Sequence, residues 1–386
     1  TLATFRRRFA TEFEATFVQV LQVARENQLS RFGTVSLDGT KIHANASRHR
    51  ALSYGHAEAI EAQLKGEVQQ LLALAEEADG ANLPDGLSLP EELKRREDRL
   101  AAIAAAKAKI EERAAERYAR EQAEHDAKLA ARAAKAAATG RKPGGKPPKA
   151  PTPGPRPTDQ INLTDETSRI MPIAGGAFEQ CYNAQAVVDA GTMLVLVPQV
   201  TQAANDKQQL TPLLERLAAL PDDLPKPTQL AADAGYFSEA NVTACEEAGI
   251  EPSIAIKRDE HHPHWSERFE NPAPPPAEAT PVERMTHRLK TPAGRATYAL
   301  RKQTVEPVFG IIKSVMGLRQ FLLRRLGSVQ GEWTLVCRVC NQDARPYCAC
   351  SKGKSRESHL FRQKIDHLSP WTALQRLFRG FSPTGY

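Results

Sequence analysis

Residues 34–42 read TVSLDGTKI and residues 229–235 read QLAADAG, and these two stretches decide the fold. In the first, alternation puts Val35 and Leu37 on one face, the two-residue period of a half-buried strand. Asp38-Gly39 then predicts a turn or bulge, which leaves Asp38 at a strand edge. The second stretch is a short apolar run, expected as a buried strand that ends in Asp233. Carboxylates in such places matter because functional groups in open α/β sheets gather beyond the carboxyl ends of the strands.

The neighbouring segments build the rest of a sheet. Tyr182 to Asp189 and Thr192 to Thr201 are β-rich runs separated by Ala190-Gly191, a hairpin signal. Asn205-Asp206 is expected to cap a helix carrying Leu210, Leu213, Leu214, Leu217 and Leu220 on one face, closed by Pro221. A helix from Ser238 to Ala248 and a strand from Ile250 to Ile256 follow, so the order of elements predicts an α/β fold with a mixed sheet flanked by helices. Residues 257–283 are His- and Pro-rich and read as an irregular insertion, in which His261, His262 and His264 lack helical ligand spacing.

Upstream, Phe5, Phe9, Phe13, Phe17, Val20, Leu21 and Ala24 recur three or four apart and predict an amphipathic helix over Thr1 to Gln28. Ile60, Leu64, Val68, Leu71 and Leu72 predict another over His56 to Ala78, broken by the turn-rich DGANLPDGL at 79–87. Ser88-Leu-Pro-Glu91 reads as a capping box opening a helix from Glu91 to Ala138, a stretch without Gly or Pro. That helix would be ~70 Å long, and its narrow seam of Leu93, Leu100, Ile103, Ile110 and Tyr118 suits packing on the preceding helix as an antiparallel arm. Between Lys128 and Thr158 stand eight Lys or Arg and no acid, and seven prolines and three glycines crowd 141–158. This is a basic extended tether, readable as a solvated linker or as a DNA-contacting tail, since phosphate neutralisation needs no fold.

Composition excludes several classes. With 386 residues, 41% hydrophobic and 25% charged, the chain is neither wholly disordered, collagen-like nor a disulfide scaffold. No run approaches ~18 apolar residues, the most apolar stretch, Met193 to Val197, stopping at Pro198, so no membrane span is expected. The opening TLATFRRRFA has no apolar signal core and begins with Thr, which reads as a truncated or processed start. Six cysteines suit a reducing, cytosolic setting, and a net charge of +6 favours polyanionic partners.

The third chemical element lies in residues 295–325, RATYALRKQTVEPVFGIIKSVMGLRQFLLRR, where Glu306 is the only acid among seven Arg or Lys. Alone, such a glutamate is ordinarily a surface ion pair. Converging with Asp38 and Asp233, it would complete a set of oxygen donors for two divalent ions, the scheme that nucleases and polymerases use for in-line phosphoryl displacement.

The segments VSLDGTKIHANAS, NLTDETSRIM, YNAQAVVD, NDKQQL, LAADAGYFSEAN, RKQTVEPVFGIIKSVMGLRQFLLR and GEWTLVC, in that order, resemble the bacterial insertion-sequence transposases of the DDE type, over about residues 1–337. The resemblance implies a ribonuclease H-like core with a long helical-hairpin insertion between its first and second strands. It implies Asp38, Asp233 and Glu306 as the catalytic, metal-binding triad, with two Mg²⁺ ions that Mn²⁺ can replace. Water would cut a phosphodiester at the element end, and the freed 3′-hydroxyl would attack target DNA. Many such enzymes carry Tyr-x2-Arg-x3-Glu-x6-Lys around the glutamate; here Tyr298, Arg301, Glu306 and Lys313 follow it with one extra residue after the arginine, and Lys302 has the x3 spacing. Tyr298, Arg301, Lys302, Lys313 and Arg319 are thereby the expected DNA contacts, core packing being the other reading of Tyr298. Double-stranded DNA, both element ends and target, is the implied partner, bound by a homodimer in the cytoplasm at the nucleoid, with no membrane.

The same likeness divides the chain into an N-terminal helix with the first core strand (1–55), a helical arm (56–138), a basic Pro-rich linker (139–160), the remainder of the catalytic domain (161–337) and an atypical tail (338–386). Family members usually carry a further helical region before the equivalent of Thr1, and a short apolar closing helix after the equivalent of Cys337. The run Cys337-x2-Cys340-x7-Cys348-x-Cys350 superficially resembles a zinc knuckle, but its last spacing is unlike one, and an unrelated tail or a shifted reading frame accounts for it better. These altered ends leave a second reading open, a catalytically inactive transposase fragment that binds DNA non-specifically. A structural coiled-coil protein would account for 56–138 and nothing else.

Overall fold

The computed structural model describes residues 8, 10–26, 32–77, 88–141, 144–173, 175–256, 272–276 and 278–343. They divide into two compact units, one of Thr1–Asn45 with Thr167–Tyr386 and one of Ala46–Glu166. In chain order the elements are α1 (Ala10–Glu26), β1 (Thr34–His43), β2 (Ala51–Ser53), α2 (Tyr54–Glu77), α3 (Leu89–Thr139), β3 (Gln160–Asn162), β4 (Arg169–Pro172), β5 (Phe178–Asp189) and β6 (Val195–Thr201). Then follow α4 (Leu210–Ala218), β7 (Gln229–Ala232), α5 (Glu239–Glu247), β8 (Glu251–Ile254), α6 (Pro281–Lys290), α7 (Pro292–Gly310) and α8 (Leu326–Asp343). The side chains of Phe5, Phe9 and Phe13, the turn at 79–87, His261, His262, His264, Cys348 and Cys350 lie outside the described residues.

The first unit is a mixed α/β structure built on a six-stranded sheet. β5 is its longest strand and pairs antiparallel with β1 along one edge and with β4 and β6 along the other. β7 pairs parallel with β1, and β8 parallel with β7. Strands this central are buried on both faces, so β7 (QLAA) reads as a short apolar run, whereas β5 buries Glu179, Gln180, Asn183, Gln185 and Asp189 among its apolar residues. The predicted hairpin is β5–β6, and the predicted leucine face of α4 is buried as Leu210, Leu213, Leu214 and Leu217, each worth about 1.5–3 kcal/mol of transfer free energy.

Three local expectations are corrected. β1 does not turn at Asp38-Gly39 but continues to His43, because β5 is long enough to pair with it throughout, Asp38 opposite Ala186 and Gly39 opposite Gln185. Only the parallel pairing to β7 stops there, its last pair being Leu37 and Ala232. Asn205-Asp206 does not cap α4, whose N-cap is Gln209 without a side-chain bond. Nor does Ser88 close a capping box: its side chain makes no cap hydrogen bond, although Pro90 does stand in the first turn of α3.

α8 fastens the edge of the sheet. Asn341 Oδ1 accepts from Val195 N at 2.7 Å while its Nδ2 donates to Val195 O at 2.8 Å, and Trp333 Nε1 donates to Gln185 O at 3.0 Å. The helix runs on past Cys337 to Asp343, with Cys337 and Cys340 both buried as free thiols.

The second unit is the helical arm. α2 and α3 pack around Leu64, Ile103, Ala106 and Ile110, joined by Leu52 of β2 and Ile161 of β3, which pair with each other. Ion pairs lace the same interface, Arg96 to Glu67 at 2.7 Å and Lys107 to Glu61 at 2.8 Å. After α3 the left-handed Gly140 (φ 62°) turns the chain, and Arg132 and Arg117 donate to the carbonyls of Gly144, Gly145 and Gly154, so the Pro-rich segment lies extended against the helix that precedes it. Among the described residues no helix is long and apolar enough to cross a membrane.

Candidate active site

Asp38 and Asp233 are brought together by strand register. Leu37 and Ala232 are the last parallel partners of β1 and β7, and each is followed by an aspartate. Each carboxylate is held by a nearby backbone amide, Asp38 Oδ1 by Gly39 N at 2.8 Å and Asp233 Oδ1 by Gly235 N at 2.9 Å. Burial pushes the Asp38 carboxyl up to about 6, with the charges of Asp233 and Asp206 adding to the rise and the Gly39 amide and Arg301 opposing it.

Glu306 arrives from α7, which starts well before Pro307. Thr291 caps that helix, its hydroxyl accepting from Gly294 N, and Pro292 occupies the first turn, so Pro307 lies inside a helix that gives way to a π-turn at Ile311–Val315. Glu306 itself is half exposed, and it reaches Asp38 through Arg301: one guanidinium nitrogen lies 3.2 Å from Asp38 Oδ2 and the other 3.5 Å from Glu306 Oε1. Tyr298 lies beneath that guanidinium at 5.9 Å, so the aromatic ring and the two carboxylates together orient it. Among the described residues no three His, Cys, Asp or Glu side chains are close enough together to hold a metal ion.

The other expected DNA contacts differ in setting. Lys313 is half-buried on the π-turn, within electrostatic reach of Asp38. Lys302 and Arg319 are exposed, and Arg319 spends its Nε on the Lys313 carbonyl at 3.4 Å.

Sequence reasoning missed a third aspartate, the fourth carboxylate of the site, and the platform that carries it. Asp206 Oδ1 accepts from Asn183 Nδ2 and from Gln185 Nε2, each at 2.7 Å, and Gln185 Oε1 in turn accepts from the buried Tyr236 hydroxyl. Lys41 Nζ stands 4.0 Å from the same oxygen. All of this closes over Gly39, where an added Cβ would fall 2.2 Å from Gln185 Nε2 and 2.8 Å from Asp206 Oδ1. A strand glycine is thus required by close approach rather than by a turn. The available signal was Asn183 and Gln185, two amides spaced two apart in the middle of a central strand, which buries them only if something polar faces them.

A family model described as the transposase DDE domain matches residues 150–342, half of the chain. The match takes in β3 through nearly all of α8, with Asp206, Asp233 and Glu306, while Asp38 lies before it. No curated protein and no solved structure matches the chain. With a model of this extent matched, the chain belongs to the transposase DDE domain family.

Proposed function

We propose that the chain is a DNA transposase that hydrolyses a phosphodiester at insertion-sequence ends and transfers the resulting 3′-hydroxyl into target DNA. The observation that carries the reading is the meeting of Asp38 and Asp233 at the last parallel pair of β1 and β7, with Arg301 linking Glu306 to Asp38. A ribonuclease H-like core is supported by the strand order β6-β5-β1-β7-β8, with the first three strands antiparallel neighbours and the last two parallel to β1. On this reading residues 56–138 are an arm and 139–160 a basic linker, both inserted between the first core strand, in 1–55, and the remainder of the domain, 161–337, with 338–386 as a tail.

Asp38, Asp233 and Glu306 would hold the divalent ions, Mg²⁺ or Mn²⁺, which supply Lewis-acid stabilisation of charge developing on the phosphate oxygens. The donor set fits hard cations, all oxygen, and Arg301 now supplies positive charge between two of its members. The chain's own residues bind and orient the substrate. Arg301, turned from Asp38 toward a phosphate, offers a planar fork of donors that Tyr298 keeps in plane. Lys302, Lys313 and Arg319 neutralise neighbouring phosphates, and the duplex ends are held by two copies of the chain paired on DNA.

One observation favours the second reading, an inactive fragment that binds DNA non-specifically: Arg301 bridges Asp38 and Glu306 in the described arrangement. The experiment that separates the two is cleavage of labelled DNA carrying the cognate element ends with Mg²⁺ or Mn²⁺, comparing the chain with Asp233→Asn. Metal-dependent nicking lost in the variant supports the transposase; binding without nicking by either protein supports the fragment.

A further inference from the structure

Lys41 and Lys313 come from distant parts of the chain, β1 and the π-turn after α7, yet backbone contacts draw these segments together. His43 lies opposite Cys181 of β5 and bridges to Gln320, its amide donates to Arg319 O, and Arg319 Nε donates to Lys313 O, which leaves both lysines within electrostatic reach of the Cys181 thiol. Both are half-buried, and burial pushes each ammonium below the ordinary lysine range. The thiol between them supplies no countercharge, because burial pushes it up to about 11 and it stays protonated at neutral pH. Among the described residues Lys313 has no ion pair, and the one ion pair of Lys41, to Asp206, spans 4.0 Å. That is well beyond the ~2.7–2.9 Å of a charge-assisted hydrogen bond, and the same Asp206 oxygen already accepts two amide donors. Asp38 attracts both ammoniums and Asp233 attracts Lys41, but among the described residues neither carboxylate forms an ion pair with them, so two desolvated cations are left without a close anion.

Building on the transposase reading, we propose that Lys41 joins Lys313 in a phosphate subsite beside the carboxylates, which grips the DNA backbone next to the phosphodiester to be cut. The Tyr-Arg-Glu-Lys pattern points to Lys313 alone; Lys41 enters because β1 continues past Asp38, which carries it to the face of Cys181. Asp206, braced by Asn183 and Gln185, is the positioning residue: it draws the Lys41 stem across the platform without quenching its charge. The occupant is a phosphodiester because the subsite adjoins Asp38 and Asp233, where on the transposase reading the DNA backbone is cut.

The test uses the full chain and a short fluorescent DNA duplex, with affinity read by anisotropy across a KCl series and folding checked by thermal melting. Each phosphate contact contributes about 0.9 to the slope of log affinity against log salt. Lys41→Met keeps the aliphatic stem and should lower the slope by about one, roughly eightfold in affinity at 0.1 M salt; Lys313→Met should do the same, and the double variant should lose about two. Lys41→Arg should keep the slope. A folded Lys41→Met with the wild-type slope, or a Lys41→Arg that loses as much as the Met variant, overturns the subsite. Nicking is followed in parallel: a chain that never nicks yet shows the Lys41-dependent slope keeps the subsite and loses the enzyme reading. A chain that nicks while Lys41→Met binds unchanged does the reverse.

Discussion

Arg301 lies 3.2 Å from Asp38 Oδ2 and, with its other terminal nitrogen, 3.5 Å from Glu306 Oε1, so one side chain neutralises a strand carboxylate and a helix carboxylate together. Arg301 and Asp38 are mostly buried, so the pair is weakly screened, and removing one partner leaves a desolvated charge. Arg301→Met should therefore lower stability by about 2 kcal/mol in the absence of divalent ions. If the guanidinium stands in for a cation, Mg²⁺ or Mn²⁺ should raise the melting temperature of the variant more than that of the wild type. Equal shifts in the two proteins would mean that Arg301 does not compete with the ion.

Asp38 makes the metal-free protein sensitive to pH. Its carboxyl is raised from 3.8 to about 6, so between those values the folded state binds the proton that the unfolded state releases. The sign follows: the contribution is full below the unfolded value and is lost as pH rises through about 6, by about 3 kcal/mol in all. Melting at about pH 4.5 and about pH 7.5 in the presence of a chelator, for the wild type and Asp38→Asn, isolates it. The asparagine variant should show the smaller loss of stability toward neutral pH; a parallel pair of profiles would mean that Asp38 titrates normally.

The elements were legible wherever apolar spacing was long or a turn signal was strong: the hairpin β5–β6, the leucine face of α4, and the strand that delivers Asp233. Asp38 was legible as a residue but not in its setting. Asp-Gly ordinarily signals a turn, and only the facing strand, with Gln185 pressed on Gly39, tells why a glycine stands in an unbroken strand. Asp206 was hidden for the converse reason. Asn205-Asp206 ahead of a leucine repeat reads as a helix cap, a local role, whereas its carboxylate is claimed by amides about twenty residues upstream, a pairing that no short-range pattern encodes. Glu306 and its bridge to Asp38 through Arg301 depend on contacts across 263 residues, so residue type marked the candidates and only the tertiary structure joined them.

Gly39 tests the platform directly. A methyl at this position would meet Gln185 Nε2 at 2.2 Å, and Gln185 is not free to retreat, being held by Asp206 and Tyr236. Gly39→Ala should cost about 1–3 kcal/mol through overpacking. In a double-mutant cycle with Gln185→Ala, which vacates the space, the combined cost should fall short of the sum by at least about 1 kcal/mol. Strict additivity in urea denaturation would mean that the two residues do not collide.

Asn341 imitates a neighbouring strand, offering an acceptor to Val195 N at 2.7 Å and a donor to Val195 O at 2.8 Å. Both side chain and strand are buried there, so losing the amide orphans two backbone groups that water cannot reach. Asn341→Leu, similar in size, should cost about 2–4 kcal/mol, more than a surface polar change would. The loss should be local first: hydrogen exchange at Val195 and Val197 should accelerate in the variant while Leu37 and Leu230 stay protected, since β1 and β7 are tied to each other and not to α8. Truncation just after Cys337 removes the same clamp, and should accelerate exchange at the same amides with a larger drop in melting temperature, because buried Val339 and Cys340 go with it. Unchanged exchange at Val195 in both proteins would mean that β6 is held by β5 alone.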